Sequence, residues 1–179
     1  ENSLPYPVIS GEGEKKWLEF LELTGKKETP TQEVLKRWRT FGTDLPELIA
    51  PYLKEDFPHL KNRIVYFETS RGCPYLCSFC LSALDKTVRY FDEASIQSQV
   101  QELISAGIKK IKFVDRTFNL KPRRMKDLMQ WLTQFKSNEF HFEVVGDILT
   151  ADILDFLATV PPGMFQFEIG IQTTTESVQ

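Results

Sequence analysis

Three cysteines, Cys73, Cys77 and Cys80, lie within eight residues of one another in the stretch ETSRGCPYLCSFC (68–80), and the chain contains no others. Thiolates at this spacing can bind one compact metal centre from a short loop, and Gly72 can take a left-handed conformation where that loop begins. A structural zinc ion and an ordinary [4Fe–4S] cluster each use four protein ligands. A cubane held by three cysteines would leave one iron open for a substrate or cofactor.

Two other classes of protein could use the same thiols. In one, His59 or His141 completes a structural zinc site in an interaction module without catalysis. In the other, the chain is an electron-transfer iron–sulfur protein. A disulfide framework would need an even number of cysteines. Three clustered thiols without a visible secretory signal instead favour a reducing, cytoplasmic location.

Polar residues also recur at the ends of the predicted strands and along one face of two of them. The strand ends carry Glu68, Asp115, Asp147 and Gln172. In the third and fourth strands, His141, Glu143 and Glu168 alternate with apolar residues. A strand with one polar and one apolar face suits a barrel with a working cavity better than an open sheet, whose strands are usually apolar on both faces.

The elements that position these residues alternate along the chain. Strands are predicted over 63–70, 111–115, 140–145 and 164–172, and helices over 92–106, 122–136 and 151–159. This alternation predicts parallel strands with right-handed helical crossovers. We therefore expect an α/β fold, a partial (β/α) barrel of about four parallel strands with helices outside. Active sites of β/α barrels gather at the carboxyl ends of the strands.

A helical segment precedes the barrel. One helix is predicted over 14–23, and a second begins after Thr31 and carries Trp38 and Phe41 on its apolar side. Pro46, Pro51 and Pro58 break the segment 42–62, which we interpret as a linker with short helical turns. The predicted domains are thus a helical linker over 1–61 and a truncated first half of a barrel over 62–179. The closing TTTESVQ suggests the cap of another helix, so we expect a fragment of a larger protein.

Composition narrows the function classes. A content of 41% hydrophobic and 26% charged residues is typical of a folded globular domain. A formal charge of −3 argues against nucleic acid as a partner, because it supplies no general attraction to polyanions. No apolar run approaches the roughly 18 residues that a membrane span needs.

The stretch RGCPYLCSFC resembles the signature of the radical S-adenosylmethionine (SAM) superfamily, in which a C-x3-C-x-aromatic-C loop follows the first strand of a partial β/α barrel. The likeness covers residues 62–179. It implies that Cys73, Cys77 and Cys80 hold a [4Fe–4S] cluster whose fourth iron is chelated by the amino and carboxylate groups of SAM. An electron from the cluster then cleaves SAM to methionine and a 5′-deoxyadenosyl radical, which abstracts hydrogen from a substrate.

The resemblance also implies contacts to SAM. Phe79 stands at the aromatic position that packs the adenine, and Glu168 and Gln172 match the region that contacts the ribose. The superfamily often has a Gly-Gly-Glu run after the second strand, which grips the methionine amine. This chain has FVDRTFN there, so only Asp115 could take a related role.

The segments GEGEKKWLEFLEL, VDRTFN and FEIGIQ are similar to a cobalamin-associated subgroup, typified by the anaerobic magnesium-protoporphyrin IX monomethyl ester oxidative cyclase. This likeness implies an oxidative cyclase acting on a tetrapyrrole. A cobalamin-dependent radical methyltransferase or a methylthiotransferase is the alternative. The D-x-H-x-x-G signature of a cobalamin domain is missing, so cobalamin would be held by a domain absent from this chain.

The partners expected from this resemblance are a small-molecule substrate and an electron donor such as flavodoxin or ferredoxin. A half barrel exposes a sheet edge, which predicts self-association of the fragment. We expect the fragment alone to be inactive.

Overall fold

The computed structural model describes residues 7–39, 51–85 and 87–177. The chain divides into two compact units, Glu1–Pro46 and Glu47–Gln179. Residues 51–61, predicted as the end of the linker, thus lie in the same unit as the strands. Residues 42–50 of that predicted linker lie outside the described residues.

The first unit contains two helices, α1 (Glu14–Gly25) and α2 (Gln32–Arg39). The second begins as predicted, because the Thr31 hydroxyl accepts a hydrogen bond from the Val34 amide at 3.3 Å. Trp38 is fully buried, and its indole N–H donates to the carboxylate of Glu19 at 2.7 Å. Phe41, predicted to share that apolar side, lies outside the described residues.

The strands of the second unit are β1 (Ile64–Phe67), β2 (Ser70–Arg71), β3 (Arg89–Tyr90), β4 (Lys110–Phe113), β5 (Glu139–Val144) and β6 (Phe165–Ile169). Four of them form a parallel sheet in the order β1-β4-β5-β6, and β2 and β3 form a separate antiparallel pair. Its helices are α3 (Phe57–Leu60), α4 (Glu93–Ser105), α5 (Pro122–Leu132) and α6 (Ala151–Ala158), with 3-10 turns at Lys54–Asp56, Leu81–Leu84 and Gly146–Ile148. The predicted parallel strands with intervening helices are confirmed.

Aromatic side chains fill the core on one side of the sheet. The rings of Phe113 and Phe142 stack with centroids 5.1 Å apart, and Phe118 packs 4.6 Å from Phe142. The inner faces of α4 and α5 add aliphatic side chains and methionines: Ile96, Val100, Leu103, Met125, Leu128, Met129 and Leu132. These are the residues that the helical periodicity selects, since burying an apolar stripe stabilises an amphipathic helix.

The alternation predicted for the third strand is confirmed in β5. Phe140, Phe142 and Val144 are buried in the core, whereas His141 and Glu143 are only partly buried on the opposite face. The polar face of the sheet therefore carries the side chains that the sequence placed toward a cavity.

The first and fourth strands differ most from their predicted boundaries. Residues 63–70, predicted as one strand, form β1 and β2 in different sheets, because the chain leaves the parallel sheet after Phe67. The fourth strand ends at Ile169, and Gln172 has a φ of +66°, outside any strand. The described part of the predicted cap, residues 173–177, contains no helix, and residues 178–179 lie outside the described residues. None of the described helices combines the length and the apolar composition of a membrane span.

Candidate functional site

The cysteine loop leaves the sheet at the carboxyl end of β1 and is closed at its base by the short β2-β3 ladder. Ser70 pairs with Tyr90 and Arg71 with Arg89, and just inside this ladder the Cys73 amide donates to the carbonyl of Asp85 at 3.1 Å. The loop is therefore anchored at both ends at the edge where β/α barrels place their active sites.

Gly72 begins the loop in a conformation that other residues rarely adopt. Its φ is +96°, and a Cβ added there would lie 2.1 Å from the carbonyl oxygen of Thr87. Glycine is thus required for two reasons, the positive φ and the close approach of the backbone at Thr87.

The three thiols occupy different environments. Cys73 is 8% exposed, and its Sγ lies 3.8 Å from the hydroxyl of Thr117. Cys77 and Cys80 are exposed, and the Cys80 amide donates to the Cys77 carbonyl at 3.0 Å. Hydrogen bonds from the side chain and then the backbone of Ser82 lower the pKa of the Cys80 thiol, which favours the thiolate that binds metals.

The donor set decides what this loop can hold. Across the described residues, no three His, Cys, Asp or Glu side chains are grouped closely enough to hold a single metal ion. In a cubane each thiolate binds its own iron, which sets the ligands farther apart than around a single ion. Three cysteine thiols on one anchored loop fit a [4Fe–4S] cluster by number, ligand type and position.

A cavity of about 550 Å³ adjoins the cysteine loop on the polar side of the sheet. Its wall includes Glu68, Arg71, Gly72, Lys112, Arg116 and Glu143. Both signs of charge therefore face the same space, directly beside the base of the loop. Such a cavity can accept a zwitterion of moderate size.

Lys112 organises the charges on this face of the sheet. Its ammonium lies 3.3 Å from the carboxylate of Glu143 on β5 and 3.0 Å from that of Glu168 on β6. The hydrogen bond with Glu168 raises the pKa of Lys112 and is also the main reason why the pKa of Glu168 is lowered. The sequence analysis missed Lys112, although its place in the alternation of IKFVD points to the polar face.

Asp115, predicted to contact SAM, is 1% exposed and faces the base of the cysteine loop. One carboxylate oxygen accepts from the Thr69 and Ser70 hydroxyls at 2.6 and 2.5 Å, and the other accepts from the Thr69 amide at 3.0 Å. Burial raises the pKa of Asp115, while these hydrogen bonds and the nearby Arg124 oppose the rise. In this arrangement the carboxylate ties the end of β4 to the chain that enters the loop.

The other predicted cofactor contacts are spread over the exposed rim. Phe79 is 76% exposed on the loop, Glu168 lies on β6 in the charge cluster with Lys112, and Gln172 follows β6. Their roles toward SAM stay predictions, and only Glu168 is joined by its contacts to the cavity wall.

Comparison with known proteins gives a family match over most of the second unit. A family model described as the radical SAM superfamily matches residues 67–179. An uncharacterized methyltransferase of Pyrococcus horikoshii, PH0819, is 33% identical over 90 residues, which is 42% of this chain and 19% of that protein. The cobalamin-dependent radical SAM methyltransferase TokK of Streptomyces tokunonensis is 34% identical over 62 residues, which is 34% of this chain and 9% of that protein.

The fold has solved counterparts. The radical S-adenosylmethionine methyltransferase TsrM from Kitasatospora setae, solved with its tryptophan substrate and a SAM analog, matches with a TM-score of 0.66 at 15% identity. That match covers 94% of this chain and 38% of TsrM. A second TsrM structure, with cobalamin and a [4Fe–4S] cluster bound, matches equally well. These matches confirm the partial-barrel fold, and the chain spans between 9% and 19% of the two curated relatives described above.

Proposed function

Because this chain belongs to the radical SAM superfamily, we propose that it forms the cluster-binding part of a cobalamin-dependent radical SAM methyltransferase. The observation that carries the proposal is the anchored three-cysteine loop beside a charged cavity at the carboxyl edge of the sheet. The methyl-transfer part is supported by the names of the relatives, both of which are methyltransferases. Those names favour methyl transfer over the oxidative cyclase activity expected from the sequence.

The family's cofactors are a [4Fe–4S] cluster and SAM, as the sequence predicted. In this chain Cys73, Cys77 and Cys80 would hold the cluster, with Cys73 in the protein interior and the other two thiols toward solvent. When bound and reduced, the cluster supplies the electron that cleaves SAM to methionine and a 5′-deoxyadenosyl radical. Three cysteine ligands leave the fourth iron available to SAM.

The cavity wall offers groups of both signs for the amino-acid end of SAM. The Arg116 guanidinium suits the SAM carboxylate, because arginine forms strong paired hydrogen bonds with carboxylates. Glu143 suits the ammonium group, and its carboxylate lies on the cavity wall, 3.3 Å from the ammonium of Lys112. Phe79 would cover the adenine from the loop, and Glu168 would contact the ribose.

Cobalamin would be supplied by a part of the protein outside these residues, since the D-x-H-x-x-G signature is absent from them. The substrate is a small molecule, and the electron donor is a flavodoxin or ferredoxin. Each is a proposal about the whole protein.

Anaerobic reconstitution of the chain with iron and sulfide tests the first part of the proposal. We expect a brown protein with about four irons per chain. Simultaneous replacement of Cys73, Cys77 and Cys80 by Ala should abolish colour and iron while circular dichroism stays unchanged. Ser78→Ala, which alters a residue between the ligands, serves as the matched control and should load normally. Stoichiometric zinc that iron cannot displace would instead support the interaction module.

The products formed from SAM test the reaction class in the full-length protein supplied with cobalamin and reductant. Methyl transfer converts SAM to S-adenosylhomocysteine, whereas reductive cleavage yields methionine and 5′-deoxyadenosine. Formation of both products, dependent on added cobalamin, is the result expected of the methyltransferase. Formation of 5′-deoxyadenosine alone would support the oxidative cyclase instead. Absence of any SAM cleavage would support an electron-transfer protein.

A further inference from the structure

The segment VDRTFN (114–119), which connects β4 to α5, has a burial pattern unlike that of an ordinary loop. Asp115, Thr117 and Asn119 are all at most 5% exposed, although all three side chains are polar. Buried polar groups are costly unless they are hydrogen-bonded, so each of them calls for a partner. The partners lie in three different parts of the second unit.

Two of these side chains fix the segment in place. Asn119 makes a paired hydrogen bond with the backbone of Val145 just after β5, donating to its carbonyl at 2.8 Å and accepting from its amide at 3.0 Å. Asp115 accepts the hydrogen bonds of Thr69 and Ser70 described above. The backbone of Phe118, which lies between these two residues, is fixed as well, since its amide donates to the Glu143 carbonyl at 3.0 Å.

Thr117 lies between these two anchors, and its hydroxyl is 3.8 Å from Sγ of Cys73. Both side chains are buried, Thr117 at 5% and Cys73 at 8% exposure. In the free thiol either group could donate this hydrogen bond. A thiolate bound to iron has no proton, so only the Thr117 hydroxyl can then be the donor.

We infer that Thr117 is a positioning residue that raises the reduction potential of the cluster by donating a hydrogen bond to the Cys73 thiolate. The inference rests on the proposed cluster ligation. One added electron increases the negative charge on the cluster sulfurs, so a hydrogen bond to sulfur stabilises the reduced form more than the oxidised form. Because Asp115 and Asn119 hold the segment at both sides, the hydroxyl is directed at the sulfur in both oxidation states.

The experiment is an anaerobic redox titration of the reconstituted chain, followed by the electron paramagnetic resonance signal of the reduced cluster. Thr117→Val keeps the shape of the side chain and removes the donor. We expect its ratio of reduced to oxidised cluster to fall about tenfold at a fixed potential, which is about 59 mV for a one-electron couple. Thr117→Ser restores the hydroxyl and should titrate like the wild type. Thr117→Ala provides a second hydroxyl-free variant in case the valine impairs loading.

The outcomes separate this inference from the proposed function. A wild-type chain that takes up no cluster would overturn both. A loaded wild type together with a Thr117→Val or Thr117→Ala variant of unchanged potential would overturn the inference and leave the cluster ligation intact. If neither hydroxyl-free variant loads a cluster while Thr117→Ser does, the hydroxyl serves assembly and not tuning, which also overturns the inference.

Discussion

The hydroxyl of Tyr52 donates to the carbonyl of Tyr66 at 2.9 Å and accepts from the amide of the same residue at 3.1 Å. Tyr66 lies in the middle of β1, whose other side pairs with β4. One tyrosine side chain thus takes the place of a neighbouring strand at the outer edge of β1. Among the described residues β6 pairs only with β5, so the opposite edge of the sheet has no such cover.

Replacing Tyr52 by Phe should therefore destabilise the fold and uncover the outer edge of β1, in addition to the edge at β6. We expect the free energy of unfolding to fall by about 1 kcal/mol, the usual net value of a hydrogen bond. Self-association should increase, because an uncovered strand edge can pair with another chain. Urea denaturation and sedimentation velocity over a range of concentrations measure the two effects. A variant that is as stable and as monomeric as the wild type would show that the Tyr52 contact has no protective role.

Asp115→Asn should destabilise the base of the cysteine loop. An amide of the same shape has one acceptor oxygen in place of two, so it cannot accept from the Thr69 amide and from the Thr69 and Ser70 hydroxyls in the arrangement that the carboxylate allows. Leaving a buried donor unsatisfied costs about 1–3 kcal/mol. Asp127→Asn is the control, because Asp127 lies on the exposed side of α5 in a long ion pair of 3.8 Å, and it should change stability by less than about 0.5 kcal/mol. Chemical denaturation gives both values, and hydrogen exchange at 69–73 should quicken only in the first variant.

Gly72→Ala should prevent cluster assembly, whereas Gly163→Ala should not. Both glycines have a positive φ, +96° and +83°, so both substitutions carry a backbone strain of about 1–2 kcal/mol. Only at Gly72 does the added Cβ also meet backbone, at 2.1 Å from the Thr87 carbonyl, whereas nothing lies within 4 Å at Gly163. Iron content after reconstitution measures the difference, and equal loading of the two variants would refute the close packing of the loop base.

Replacing Lys112 by Met should flatten the pH dependence of stability at both ends. The pKa of Glu168 is lowered from 4.5, so its ion pair stabilises the fold above pH 4.5, and that contribution is lost as the pH falls through the lowered pKa. The pKa of Lys112 is raised from 10.5, so its contribution is present below pH 10.5 and is lost as the pH rises through the raised pKa. Thermal melting measured from acid to alkaline pH would record the loss of stability at low pH and the loss at high pH.

Lys110→Met is the matched control for this series. Lys110 lies on the same strand and pairs with Glu139 at 2.8 Å, but both side chains are more than half exposed. Such surface pairs contribute about 0–1 kcal/mol, so this variant should keep the wild-type pH profile. Identical profiles for the wild type and the Lys112 variant would mean that the charge cluster does not contribute to stability.

Much of the site was predictable because its signals are local. The cysteine spacing, Gly72 at the loop entry and the apolar stripes of α4 and α5 depend on residues close together in the chain. The cap of α4 is local too, since the Asp92 side chain accepts a hydrogen bond from the Ser95 amide at 2.8 Å. The alternation of His141 and Glu143 with buried phenylalanines likewise follows from the two-residue period of a strand.

The partners of the buried and charged side chains were not predictable in the same way. The structure pairs both Glu143 and Glu168 with Lys112, a residue that the sequence pattern did not single out. This depends on strand register: Lys112 lies opposite His141, and Glu143 lies opposite Glu168. A shift of one residue would turn each of these side chains to the other face.

The sequence by itself thus determined that three thiols share one loop at the end of a strand, that strands and helices alternate, and which face of β5 is polar, because each follows from local spacing and chain geometry. The tertiary structure alone decided that the chain leaves the sheet after Phe67, that Asp115 is buried under the loop base, and that Thr117 meets Cys73. The contacts of Asp115 and Thr117 join residues more than forty positions apart. They exist only once the strands have paired in one register and the core has excluded water, since only then does a buried polar group require a specific partner.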